Sequence, residues 1–243
     1  MTLPFFYIEE YNSSQKEIVL DEDTSKHIVQ VLRMKEGERL NLTDGKGNLI
    51  EAEVAGAHKK HCVVNIQQST FNTQYSGKLI IAISLLKNTG RFEWFLEKAT
   101  EIGVSEIIPL ICERTGKQKF RYDRMKQICI SAMLQSQQAW LPTLHEPKQL
   151  GQLAGEQFDN TRKFIAHCVE AEKKPLSSMV TGHSSLILIG PEGDFTKDEI
   201  KLALESDFIP VSLGDTRLRT ETAGIVAAVL LSNAVHSQFG FKS

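Results

Sequence analysis

The chain has 243 residues, 41% hydrophobic and 24% charged, with a formal net charge of −2. That composition suits one large globular domain or two modest ones and excludes a polycationic chain. No run approaches the roughly 18 to 20 apolar residues that span a bilayer.

The first ten residues carry no basic segment and already hold Glu9 and Glu10, so they do not read as a signal peptide; a soluble, cytoplasmic protein with no membrane segment is expected. Cys62, Cys112, Cys129 and Cys168 are scattered without C-x-x-C spacing. Reduced, packed thiols are expected, and no metal, although His58, His61 and Cys62 cluster in a strand-like stretch.

In chain order, short β-like runs come first: Phe5–Ile8, Glu17–Leu20, Leu40–Thr43, Leu49–Val54 and Cys62–Gln67. The turn 44–48 carries two glycines and joins two of these runs as a hairpin. One helix interrupts them, with Ile28, Val31, Leu32 and Met34 in helical period behind acids and Thr24. Many short strands within residues 1–72 predict a small barrel. Polar residues 68–78 read as a linker, which divides the chain into domains 1–72 and 73–243.

After the linker the rhythm changes. Leu79–Leu86 is almost continuously apolar, and helix 91–102 puts Phe92, Phe95, Leu96, Ala99 and Ile102 on one face. Then follow strand Glu106–Ile111, a helix striped by Met125, Ile128, Cys129, Ala132 and Met133, strands Phe164–Val169 and Leu186–Ile189, a helix from Thr196, strand Phe208–Leu213 and a last helix from Glu221 to His236. Apolar strands alternating with helices predict a parallel sheet covered on both faces. Between Arg114 and Lys126 six bases face one acid, Asp123. Such a cluster can track a phosphate backbone or form a solvated helix end, and spacing leaves both open.

Open α/β sheets bind ligands at the carboxyl ends of their strands, so unusual loops there matter most. The first apolar strand runs into 87–91 with a single glycine, and neither G-x-G-x-x-G nor a P-loop occurs. The glycine turns come late. Residues 189–196 (Ile-Gly-Pro-Glu-Gly-Asp-Phe-Thr) leave a strand and enter a helix that Thr196 and Glu199 begin as a capping box. Gly190 and Gly193 permit close approach of backbone to a ligand, though a plain strand-to-helix turn would look similar. Leu213-Gly214-Asp215-Thr216 ends the next strand, and 217–224 opens the last helix. That helix is apolar around most of its circumference, as a central core helix or one buried on a second subunit would be.

G-P-E-G-D-F-T-x-x-E-I, followed by L-G-x-x-x-L-R-T-E-T-A, resembles the bacterial 16S ribosomal RNA uridine N3-methyltransferases of the SPOUT superfamily. So do His27-Ile28 with Val31–Met34, Lys87, the stretch 97–104, and Glu113-Arg114-Thr115, so that the resemblance spans nearly the whole chain. It implies a PUA-like β-barrel followed by a SPOUT α/β methyltransferase domain whose C-terminal segment threads a trefoil knot. It also implies S-adenosylmethionine as cofactor, 16S ribosomal RNA or the small ribosomal subunit as partner, and a homodimer. Cofactor contacts are then expected from Leu188, Ile189, Gly190, Glu192, Gly193, Leu213, Gly214, Leu218, Arg219, Thr220, Thr222 and Ala223. Arg33, Lys87, Arg91, Arg114, Lys117, Lys119 and Arg121 are the expected RNA surface. Arg219 is expected to hydrogen-bond a uracil carbonyl, and Glu221, or a water beside it, to take the N3 proton.

The chain departs from that pattern in three places. Pro4 runs directly into Phe5-Phe6 with no intervening arginine. The stretch 134–140 lacks the glutamate and Gly-Arg common in the family. Asp194 stands where glycine is usual; because aspartate tolerates left-handed backbone, the loop is still expected to form. Two rivals stand beside this reading. A binding module with a degenerate methyltransferase domain would show no cofactor binding, and a methyltransferase for transfer RNA or for ribose would leave a different modified nucleoside.

Overall fold

The computed structural model describes residues 3–73, 77–116, 119–180 and 183–236. The chain divides into two compact units, Met1–Gln74 with Met133–Leu141, and Tyr75–Ala132 with Pro142–Ser243.

In the first unit β1 (Phe5–Tyr7), β2 (Glu17–Val19), β3 (Arg39–Thr43), β4 (Asn48–Gly56) and β5 (Val63–Phe71) form one sheet in the order β1-β3-β4-β5-β2. Among the described residues of this unit only β1 and β3 pair parallel. Period-two burial follows the sequence: Leu40 and Leu42 of β3, and Ile50, Ala52 and Val54 of β4, face the core while their neighbours face outward. Register shifts at Glu51/Ala52 and Val54/Gly56 bend β4 against β5, as bulges do. In the β3–β4 turn Asp44 Oδ1 accepts the Lys46 amide at 2.9 Å, and Gly45 and Gly47 both have positive φ. A Cβ at Gly47 would lie 2.5 Å from the Trp140 ring, whose Nε1 donates to the Asn72 carbonyl at 2.8 Å. That contact fastens residues 133–141 to this unit.

Two expectations for this unit are corrected. The expected linker starts too early, because β5 continues to Phe71, its residues 68–71 pairing with 48–51 of β4. The expected single amphipathic helix is a short α1 (Glu22–Lys26), capped by Asp21, followed by a π-type turn at His27–Val31. The wider turn and the left-handed backbone of Arg33 (φ 56°) break the helical phase. Ile28 and Met34 are therefore buried, but Val31 and Leu32 are 68% and 43% exposed.

The second unit contains β6 (Leu79–Ser84), α2 (Thr89–Ile102), β7 (Glu106–Ile111), most of α3 (Tyr122–Gln135), β8 (Thr143–Leu144), β9 (Lys148–Gln149) and α4 (Leu150–Ala154). Then come β10 (Thr161–Ala166), β11 (Lys174–Pro175), α5 (Leu176–Met179), β12 (Ser184–Ile189), α6 (Lys197–Glu205), β13 (Ile209–Ser212) and α7 (Thr220–His236). The strands run β11-β13-β10-β12-β6-β7-β8, with β9 also on β7, and every pairing is parallel, as the continuous apolar runs predict. All six residues of β6 are buried.

Helix punctuation follows local chemistry. Asn88 caps α2 by accepting the Gly90 amide, and Gly103 ends it at φ 90°. Thr196 and Glu199 make the expected capping box on α6. Phe195, Ile200 and Ala203 pack with Leu150 and Leu153 of α4 on strand residues Ile165, Leu186 and Leu188. Helix α7 packs on α2, β6 and β12, with Ala227, Ala228 and Leu231 fully buried. It is not enclosed all round within the chain: Val229 is 40% exposed, and Ile225 and Val226 are half-buried.

Candidate active site

Strands β13, β10 and β12 lie side by side and parallel, so their carboxyl ends open on one edge of the sheet. The chain leaving them encloses a cavity of about 420 Å³. Such a volume suits a small organic ligand, whose sites are roughly 300–1,000 Å³. Its walls are Ala166 and Cys168 from β10, Ile189 to Glu192 and Asp194 from β12, Arg217 to Arg219 after β13, Thr220 and Ala223 of α7, and Arg91 of α2.

The β12 loop is held from three sides. Thr220 Oγ1, buried at the head of α7, donates to the Gly190 carbonyl at 3.0 Å. A Cβ on Gly190 would sit 3.0 Å from the buried Phe195 ring, so the loop folds this tightly only without a side chain there. Arg114 Nη1 donates to the Gly193 carbonyl at 2.6 Å. Asp194 has the expected left-handed backbone, at φ 62°. Its Oδ2 accepts the Cys168 amide at 2.8 Å and its Oδ1 the Phe195 amide at 2.9 Å. After β13, Gly214 at φ 142° needs its glycine for backbone freedom and not for space.

Charge gathers at the cavity's mouth. Arg91 Nη1 lies 3.3 Å from Glu192 Oε1, and its Nε lies 3.7 Å from Glu221 Oε1. Glu221 is only 7% exposed, and its Oε2 is buried with no hydrogen-bond partner. A buried carboxylate oxygen without a donor is unfavourable by about 1–3 kcal/mol, which a bound donor would recover. His167, beside Cys168, leaves Nδ1 buried and unpartnered. Burial, and then the charge of Lys173, lower its pKa, so it stays neutral at pH 7.

Of the residues expected from sequence, Ile189, Gly190, Glu192, Leu218, Arg219, Thr220 and Ala223 line this cavity. Gly193, Leu213, Gly214 and Thr222 belong to the same loops and helix head but are not in its wall, and Leu188 lies in the core under the sheet. Arg219 is exposed and reaches the cavity. Arg91 and Arg114, expected on an RNA surface, are engaged with Glu192, Glu221 and Gly193 at the rim. Lys87, Lys119 and Arg121 are exposed, as is Arg33 in the other unit, and Lys117 lies outside the described residues. Sequence reasoning missed Ala166, Cys168, Pro191, Asp194 and Arg217 as cavity wall. Only the position of β10 beside β12 could have found the first two. Among the described residues no group of three or more His, Cys, Asp or Glu could hold a metal ion, and no helix is long and apolar enough to cross a membrane.

Residues 73–232 match the RNA methyltransferase domain family, and residues 20–67 match the RNA methyltransferase PUA domain. The chain is 30% identical over 221 residues to the ribosomal RNA small subunit methyltransferase E of Bacillus subtilis, covering 85% of this chain and 86% of that protein. It superimposes with a TM-score of 0.90 and 36% identity on the crystal structure of a probable rRNA-methyltransferase from Porphyromonas gingivalis, covering 97% of this chain and 100% of that one. A ribosomal RNA small subunit methyltransferase E from Neisseria gonorrhoeae, solved bound to S-adenosyl methionine, gives a TM-score of 0.84 at 27% identity, covering 95% and 97%.

Proposed function

The chain belongs to the RNA methyltransferase domain family, with a PUA-like N-terminal domain, and on that premise we propose that it transfers the methyl group of S-adenosylmethionine to N3 of a uridine in 16S ribosomal RNA. The observation that carries this reading is the cavity at the ends of β10, β12 and β13, walled by residues of the loops after these strands and of the head of α7. The relative solved with that cofactor shares this fold.

The residues present fit such a ligand. Glu192 in the cavity wall carries a carboxylate, and Glu221, which Arg91 of that wall faces, keeps a buried Oε2 with no donor. Ile189, Gly190, Leu218, Thr220 and Ala223 would hold the cofactor, with Gly193, Gly214 and Thr222 shaping the loops. When bound, S-adenosylmethionine supplies a methyl group on a positively charged sulfur.

The chain's own residues do the rest. Uridine N3 carries a proton and lies on the pairing edge, so the base must stand unpaired. Arg219 donates to a uracil carbonyl and stabilises the negative charge that develops as the proton leaves N3. Glu221, or a water beside it, accepts that proton. Arg91 holds Glu192 and Glu221 in place. Lys87, Lys119, Arg121 and Arg33 contact RNA phosphates.

The same reading assigns residues 1–72 to an RNA-binding barrel and 73–243 to catalysis, with a trefoil knot in the C-terminal segment and a cytoplasmic homodimer. The bond from Thr220 to Gly190, which brings the last helix against the loop thirty residues earlier, supports the close crossing that a knot requires. The unenclosed apolar side of α7, with exposed Val229, supports the dimer.

The test is methylation of small ribosomal subunits, or of their free RNA, followed by digestion and mass spectrometry of nucleosides. N3-methyluridine is expected. A ribose-methylated nucleoside, or methylation of transfer RNA alone, would sink the reading.

A further inference from the structure

Asp194 sits in a backbone conformation (φ 62°) that glycine adopts without steric penalty. Its two oxygens are both used, one on the Cys168 amide (2.8 Å) and one on the Phe195 amide (2.9 Å). Cys168 belongs to the loop after β10, twenty-six residues away in sequence. Phe195 is 1% exposed and lies against Gly190.

The β10 loop is gripped a second time. Lys173 Nζ donates to the carbonyls of His167 at 2.7 Å and Val169 at 2.9 Å. Residues 167–169 are thus held at an amide by an acid and at two carbonyls by a base. Charged groups make the stronger hydrogen bonds, so the loop takes one position. Ala166 at the end of β10, Cys168 of this loop and Asp194 itself are cavity wall.

We propose that Asp194 is a positioning residue for the cofactor site: its carboxylate latches the β10 loop to the β12 loop and fixes the wall against which S-adenosylmethionine binds. The inference rests on the cofactor reading above. It concerns binding and not the reacting atoms, so loss of the latch raises the cofactor KM and leaves kcat at saturation close to wild type. Loosening a wall that must be ordered on binding weakens affinity.

The experiment uses the full chain with Asp194→Gly, which keeps the backbone conformation and deletes the latch, and Asp194→Asn, which tolerates that backbone and keeps one accepting oxygen. S-adenosylmethionine Kd is measured by calorimetry, and amide hydrogen exchange is read at residues 167–169. The glycine variant is expected to bind about tenfold more weakly, equivalent to about 1.4 kcal/mol, with the asparagine variant between it and wild type. Exchange at 167–169 should quicken in the glycine variant while the apo melting temperature stays near wild type. Wild-type Kd in Asp194→Gly, or unchanged exchange at 167–169, overturns the inference. Weaker binding matched by a fall in melting temperature, without partial recovery by asparagine, also overturns it, because general destabilisation would then explain the loss. If wild type itself binds no S-adenosylmethionine, the cofactor reading fails, while the exchange measurement still decides whether the latch exists.

Discussion

Replacing Thr220 by valine tests the joint between the last helix and the β12 loop. Valine keeps the shape of threonine and removes the hydroxyl that donates to the Gly190 carbonyl at 3.0 Å. Thr220 is 5% exposed, so water reaches the abandoned carbonyl poorly. An unsatisfied buried acceptor is unfavourable by about 1–3 kcal/mol. That penalty divides between the folded apo protein and the cofactor complex. If the loop relaxes to find water, the loss appears in binding, as a Kd raised by about five- to a hundredfold. If it stays in place, the loss appears as a lower denaturation midpoint with unchanged slope. Calorimetry with S-adenosylmethionine and urea unfolding together capture both shares, and Thr220→Ser should restore them. A valine variant with wild-type Kd and wild-type midpoint would refute the claim that this bond holds the site together.

Arg219→Ala should lower single-turnover methylation at saturating cofactor by about a hundredfold or more, as loss of an oxyanion donor does. Glu221→Gln should likewise slow single-turnover methylation; near wild-type rates in both variants would remove the assigned roles. Gly224→Ala would place a methyl 2.6 Å from Phe95 Cε2 and 2.9 Å from Ile83 Cδ1, so urea unfolding should show about 1–3 kcal/mol of destabilisation from overpacking between α7 and α2. Glu106 is held down to about 2 by its hydrogen bond to His145 and then by Lys78, against burial. Its contribution is present above the ordinary carboxylate range near 4.5 and is lost as pH falls toward 2, so acid unfolding of Glu106→Gln should be shallower by about 2 kcal/mol over that window. RNA affinity should fall steeply with added salt, and substituting Lys87, Lys119 and Arg121 by alanine should reduce that slope; an unchanged slope would exclude them from the RNA surface.

Sequence alone determined what depends on neighbours along the chain. The period-two burial of β3 and β4, the all-apolar β6, the Thr196 capping box and the left-handed tolerance of Asp194 are local consequences of side-chain shape and polarity, and each is legible from a few residues. The glycine turns at 190, 193 and 214 announced unusual loops, and the structure separates their reasons: Gly190 leaves room for the Phe195 ring, whereas Gly214 takes a backbone conformation open to glycine.

Tertiary structure decided what depends on distant partners. No pattern placed β10 beside β12, so Ala166, Cys168 and the Asp194 bond to the Cys168 amide were invisible until the sheet order set them together. Arg91 and Arg114 read as cations of an RNA surface, and only the fold brought them to Glu192, Glu221 and the Gly193 carbonyl. The helix after Thr24 shows the limit from the other side. Its apolar spacing was sound helical periodicity, but a π-type turn and left-handed Arg33 took Val31 and Leu32 out of the core, because packing around Ile28 and Met34 outweighs the weak preference of one short helix.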